Sequence, residues 1–173
     1  MSWLGIFGGL ILLLPVQATD DLPLNEKVIA YCRENLDKEV GNGECAGLAA
    51  QALKAAGAKM RAGPDAPRER DYVWGKQVYK IEIVAGSLQE TGSLKDVRPG
   101  DILQFRDVKF GEKGGFEHHT AVVAEVVDAA LGKVQVYQQN AGGKRFVFKA
   151  QLHKFKDLQE GYILAYRPLP EKK

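Results

Sequence analysis

"GNGECAGLAAQALKAAGA", residues 41–58, sets two glycines and a cysteine in front of an alanine-rich, helix-prone run. Leu48, Ala49, Ala52 and Leu53 recur at the spacing of one helical face, and Gly57 is a natural stop, so a helix is predicted from near Cys45 to near Gly57. Cys45 begins the same apolar stripe. Its thiol therefore faces whatever the helix packs on, at the end where unsatisfied amide N–H groups collect. The positive end of the helix dipole favours a thiolate there, which makes Cys45 a candidate nucleophile. Glycines such as Gly43 permit a tight approach to the helix and let a substrate come near the backbone, and the Cys45 N–H can point at an oxyanion.

Gly41-x-Gly43-x-x-Ala46 also fits a loose dinucleotide-binding fingerprint. The context excludes it. Such a loop follows an apolar strand and leads to an acid on a second strand, whereas here the polar "RENLDKEV" precedes it and a charged loop follows.

Outward from this helix, "NEKVIAYCRENLDKEV" places Val28, Cys32 and Leu36 on one face of an earlier helix, where Cys32 is a small core residue. "KMRAGPDAPRERD" reads as an exposed loop. From Tyr72 the pattern turns to strands. "YVWGKQVYKIEIV" alternates roughly with period two, "DILQF" is short and apolar, and "HTAVVAEVV" is nearly continuous, as a central strand would be. "KVQVYQQN", "KRFVFKA" and "GYILAYR" complete the series. Two helices followed by five or six strands make an α+β fold.

A nucleophilic thiol needs a base, and the chain has three histidines. His153 lies in the polar "LHKFKD" and reads as a surface residue. His118 and His119 begin the long apolar strand, where alternation sends them to opposite faces, so only one of them meets Cys45. Periodicity does not choose between them. A group that orients the imidazole could come from Gln138 or Asn140, two apart at the end of the next strand and hence expected on one face. "NAGGK" is equally ordinary turn chemistry.

The chain has 173 residues, 45% of them hydrophobic and 27% charged, enough for one full core and a single domain. "MSWLGIFGGLILLLPVQA", residues 1–18, reads as a secretory signal cut after Ala18, or as an uncleaved anchor, since its first residues lack Lys and Arg. Residues 19–173 are then the domain, with no stable membrane span. A formal net charge of +2 with interspersed signs, and no basic cluster interleaved with aromatics, gives no support to a nucleic-acid partner. Two cysteines found no disulfide framework, although a single bridge between Cys32 and Cys45 remains an alternative.

Taken together, "GECAGLAAQAL", "VRPGDILQF", "HTAVV" and "VYQQNAG" resemble the papain-like superfamily, in its branch of CHAP and NlpC-like cysteine amidases and peptidases. The resemblance implies helices packed on a small, strongly bent antiparallel sheet, with the active site in the groove between. It selects His119, because the family's histidine is followed by any residue, a small one, then aliphatics. Where many CHAP members carry Glu then Asn, this chain has Gln138 and Asn140, and Ala46 and Gly47 replace an aromatic after the cysteine. The expected function is a secreted cysteine hydrolase of amide or peptide bonds that acts on a peptide or peptidoglycan-like substrate without metal or cofactor. Cys45 attacks, His119 moves the proton and Asn140 orients the ring, its short side chain losing less rotamer entropy than that of Gln138. Gly43, Gln138 and His118 are expected at the substrate, and "KFGEKGGF" is expected as a mobile loop at the mouth of the site. A binding module without turnover on the same fold is the competing expectation.

Overall fold

The computed structural model describes residues 23–60 and 72–171. The signal reading of residues 1–18, and residues 61–71 of the loop expected over 59–71, lie outside them.

Helix α1 spans Leu24–Glu34 and starts at Pro23, whose carbonyl accepts the Glu26 and Lys27 N–H groups at 2.9 and 3.2 Å. It buries Val28, Ile29 and Cys32. The expected buried stripe does not extend to Leu36, which is exposed. The helix ends earlier because the Asn35 amide turns back to the Tyr31 carbonyl at 2.8 Å and Asp37 takes a left-handed φ of 62°.

Helix α2 spans Cys45–Ala56, as its apolar stripe predicts. Gly57 ends it in the left-handed region at φ 71°, with its own N–H on the Lys54 carbonyl and the Ala58 N–H on the Leu53 carbonyl. The stripe of Leu48, Ala49, Ala52, Leu53 and Ala56 is buried against Ile102, Val122, Leu164 and Tyr166 of the sheet. Full burial of a leucine such as Leu48 or Leu53 contributes roughly 1.5–3 kcal/mol.

Seven antiparallel strands form one sheet: β1 Lys76–Val84, β2 Ser87–Gly92, β3 Ile102–Lys109, β4 Gly115–Asp128, β5 Lys133–Gln138, β6 Phe148–Gln151 and β7 Glu160–Arg167. Their order is β2-β1-β7-β3-β4-β5-β6. The count exceeds the expected five or six because β2, an edge strand, exposes every residue and so carries no apolar alternation. Alternation along the central strands divides the interior in two. Ile102 and Val122 face the helices, while Leu103, Phe105, Ala121 and Val123 join a second core that also holds Phe155 and Ile163.

"VRPGDILQF" holds this layered structure together. Gly100 takes φ 86°, with a Cβ position only 2.3 Å from the Asn25 carbonyl oxygen, so no other residue fits. The next residue, Asp101, is fully buried and accepts from Asn25 Nδ2, the Arg98 N–H and Arg167 Nε and Nη2 at 2.8–2.9 Å. One carboxylate thus ties the start of α1, the start of β3 and the end of β7.

Candidate active site

Cys45 opens α2 and is partly exposed on the wall of a cavity of about 710 Å³, lined also by Glu44, Arg106, His118, His119 and Asn140. The helix delivers the thiol and the sheet delivers the imidazole. His118 and His119 lie opposite Arg106 and Phe105 across the β3–β4 ladder. His119 is buried and His118 is exposed, and both reach the cavity.

His119 is held on three sides. Its ring stacks on Phe116, with centroids 4.5 Å apart and planes 16° from parallel, and Phe105 lies 6.0 Å away. Its Nε2 is 2.8 Å from Gln138 Oε1. An amide oxygen only accepts, so Nε2 carries the proton and Nδ1 keeps its lone pair for the cavity. Burial pushes His119 down to about 4, and the guanidinium of Arg106 adds to this against the opposing pull of the Gln138 hydrogen bond. The ring is therefore a neutral base at neutral pH. Arg106 is itself buried, its Nη1 donating to the Phe105 carbonyl at 2.5 Å and the His119 carbonyl at 3.5 Å. Cys45 and His119 both line the wall of this one cavity.

The expectation that Asn140 orients His119 is corrected: Gln138 makes that contact. Gln138 is the last residue of β5, and strand alternation breaks at Asn140, which takes a left-handed φ of 54° in the turn beyond. Asn140 Nδ2 donates instead to Glu44 Oε2 at 2.6 Å, on the cavity rim. Gln138 itself lies outside the lining of the Cys45 cavity. So does Gly43, expected beside substrate. It is buried at φ 75°, where a Cβ would come 2.5 Å from Arg145 Nη2 and 2.7 Å from Glu39 Oε1, so its role is in the shape of the loop.

One residue was missed by sequence reasoning. Gln139 is fully buried, accepts the Val40 N–H at 3.1 Å through Oε1, and donates through Nε2 to the carbonyls of Val40 at 2.9 Å and Glu44 at 2.7 Å. The signal was its parity. Between Gln138 and Asn140, it points to the opposite face, where the loop before Cys45 lies. Around it, Arg145 Nη2 donates to the Asn42 carbonyl at 2.7 Å, and exposed pairs to Glu39 and Glu44 add little.

Cys32 is fully buried, and burial pushes its thiol up to about 12. Both cysteines are free, which removes the disulfide alternative. Among the described residues no group of His, Cys, Asp and Glu gathers to hold a metal ion. "KFGEKGGF" forms a short turn at Gly111–Lys113 over a different cavity of about 410 Å³, so its expected place at the mouth of the Cys45 site is corrected. It meets the site through Phe116, which stacks on His119.

Among solved structures, the fold is similar to the crystal structure of Ly7917 (18% identity, TM-score 0.47, 82% of this chain and 62% of that one). It is also similar to Ly7917 with the hydrolyzing product of MDP (19% identity, TM-score 0.50, 83% of this chain and 62% of that one). In sequence, the chain is 28% identical to Altered inheritance of mitochondria protein 3 of Debaryomyces hansenii, an alignment over 90% of this chain that spans only 17% of that protein's length. Residues 23–173 match the model of the AIM3/BBC1 cysteine proteinase-fold domain, which takes in both helices, all seven strands and the cavity between Cys45 and His119. The chain belongs to the AIM3/BBC1 cysteine proteinase-fold domain family.

Proposed function

We propose that this domain is a cysteine hydrolase of amide or peptide bonds, with Cys45 as nucleophile, His119 as general base and acid, and Gln138 holding the ring. One observation carries the proposal: the 2.8 Å contact between His119 Nε2 and Gln138 Oε1, which leaves Nδ1 basic beside the cavity that Cys45 lines. In the first step Sγ bonds the carbonyl carbon, the thiol proton passes to Nδ1, and the carbonyl π pair moves to oxygen, stabilised by the Cys45 N–H. The C–N bond then breaks with its pair going to nitrogen, which takes the proton from Nδ1, and a thioester remains. Water adds by the same route, giving its proton to Nδ1. The C–S bond breaks, and sulfur recovers the proton.

Among the described residues no carboxylate contacts the ring, so the imidazolium formed on the way is weakly supported and turnover is modest. Peptide-bearing cell-wall fragments are the first substrates to try. The CHAP-like run of motifs supports them, as does the fold shared with a protein crystallised with the hydrolyzing product of MDP. A cleaved signal over residues 1–18 would send the domain to meet them outside the cytoplasm.

The test is release of new amino termini from peptide libraries and from MDP, comparing wild type with Cys45→Ala and His119→Ala. Activity in wild type alone supports the proposal, and equal activity in all three refutes it. A second reading, a groove that binds without turnover, is favoured by a histidine held down to about 4. Iodoacetamide separates the two: an activated Cys45 labels faster than an unstructured cysteine peptide and slows in His119→Ala, whereas a bare groove shows neither.

A further inference from the structure

We infer that Gln139 is a positioning residue that aims the Cys45 N–H at the oxyanion, an inference that rests on the hydrolase reading above. The loop before Cys45 contains two glycines in the left-handed region, Gly41 at φ 63° and Gly43 at φ 75°, so its own backbone leaves it free to swing. Three hydrogen bonds from one buried amide side chain hold it to the end of β5: the Val40 N–H and carbonyl, then the Glu44 carbonyl at 2.7 Å.

The last of these bonds is the important one. Glu44 O and the Cys45 N–H belong to one trans peptide plane, in which the two groups point in opposite directions. Fixing the carbonyl fixes the N–H. The Gly47 N–H also reaches Glu44 O, at 2.9 Å, as any first helical turn would provide. Gln139 adds a second anchor from the sheet, so the plane cannot rotate about the helical bond. The Cys45 N–H is left in the first turn, where the helix offers it no acceptor, on a residue that lines the cavity. A substrate oxygen that becomes negative when Sγ attacks is the acceptor it lacks. Because this donor is set before the reaction, it needs no reorganisation when charge develops.

The experiment compares wild type with Gln139→Met, which matches the side chain in length and removes all three bonds. A second variant, Gln139→Glu, keeps an acceptor for the Val40 N–H and loses the donor to Glu44. Three quantities are measured on protein shown by circular dichroism to be folded: iodoacetamide alkylation of Cys45, affinity for a reversible peptide aldehyde, and kcat and KM on any substrate found. Alkylation forms no oxyanion. The aldehyde's hemithioacetal sets its tetrahedral oxygen where the oxyanion would sit, as an acceptor for the same N–H. Removing an oxyanion donor outright costs about 10²–10³ in kcat, so misaiming one is expected to lower kcat and aldehyde affinity about 10-fold or more, with KM and alkylation within about twofold. Folded variants that keep aldehyde affinity overturn the inference and leave the hydrolase standing. Alkylation that falls in step with aldehyde affinity overturns it too, since Gln139 then only holds the thiol. Failure of both variants to fold assigns Gln139 to the fold alone and overturns it. A wild-type Cys45 inert to both reagents removes the hydrolase reading, and the inference falls with it.

Discussion

Replacing Gln138 by glutamate restores a carboxylate to His119 without changing side-chain length. Burial and Arg106 hold the ring at about 4 against its ordinary 6.5, a difference that disfavours the imidazolium by about 3 kcal/mol. A carboxylate oxygen taking the place of Gln138 Oε1, 2.8 Å from Nε2, puts the two charge centres about 4 Å apart, worth roughly 4 kcal/mol at an effective dielectric of about 20. Part of that is offset by the amide hydrogen bond lost and by burial of the new charge. The remainder should return His119 to between about 6 and 7. Titration of its ring Cε1–H resonance reads the shift directly, with His118→Gln to simplify the spectrum. Turnover at pH 7 should rise about 10-fold, because the transferring proton leaves a better-supported cation. Asn140→Ala should move neither quantity. A folded Gln138→Glu protein in which His119 still titrates near its original value would refute the reasoning, for the orienting contact would then not govern the ring.

The same histidine makes stability depend on pH. Its folded value of about 4 lies below the ordinary 6.5, so between these values the unfolded chain binds more protons and stability falls as pH drops; above 6.5 it contributes no slope. The total loss is about 3 kcal/mol, of which urea unfolding at pH 7 and 4.5 should show about 2 kcal/mol in wild type beyond that in His119→Gln; equal losses in both would contradict it. Cys32→Ala removes a buried thiol and should cost about 1 kcal/mol while leaving Cys45 alkylation untouched; slowed alkylation in a folded variant would mean that Cys32 reaches the site. Asp101→Ala strands Asn25 and Arg167 and should cost about 3 kcal/mol or more, read from thermal melts; a loss below about 1 kcal/mol would show that the three elements are tied by apolar contact instead.

Apolar pattern made most of the fold legible, and its absence hid the rest. The stripe from Leu48 to Leu53 fixed α2 because those residues are buried, and Gly57 marked its end because only a left-handed residue closes the turn. Edge strand β2 left no such trace, since nothing along "SLQETG" is buried and its pairing to β1 is made by backbone. The end of α1 was hidden for another reason. Leu36 continues the four-residue spacing of Val28 and Cys32, and local polar bonding from Asn35 outweighs one more apolar position.

At the site, residue type was easier to read than residue role. Cys45 opens α2, where the helix terminus fixes its direction, whereas the histidines do not begin their strand as expected: β4 starts at Gly115, and His119 is its first buried position. Gln138, Gln139 and Asn140 stand where β5 runs out, and three neighbours serve three different surfaces. Gln138 obeys the last step of alternation and meets the ring on the His119 side. Gln139 takes the opposite side and clamps the loop that carries Cys45. Asn140 should have returned to the first side, but its left-handed backbone swings it out to Glu44 on the rim. A period-two argument is valid only while the chain is extended, and one residue with positive φ is enough to void it. The turn signal in "NAGGK" was therefore the decisive observation about Asn140: a residue that begins a turn cannot also be counted as the next position of the strand before it.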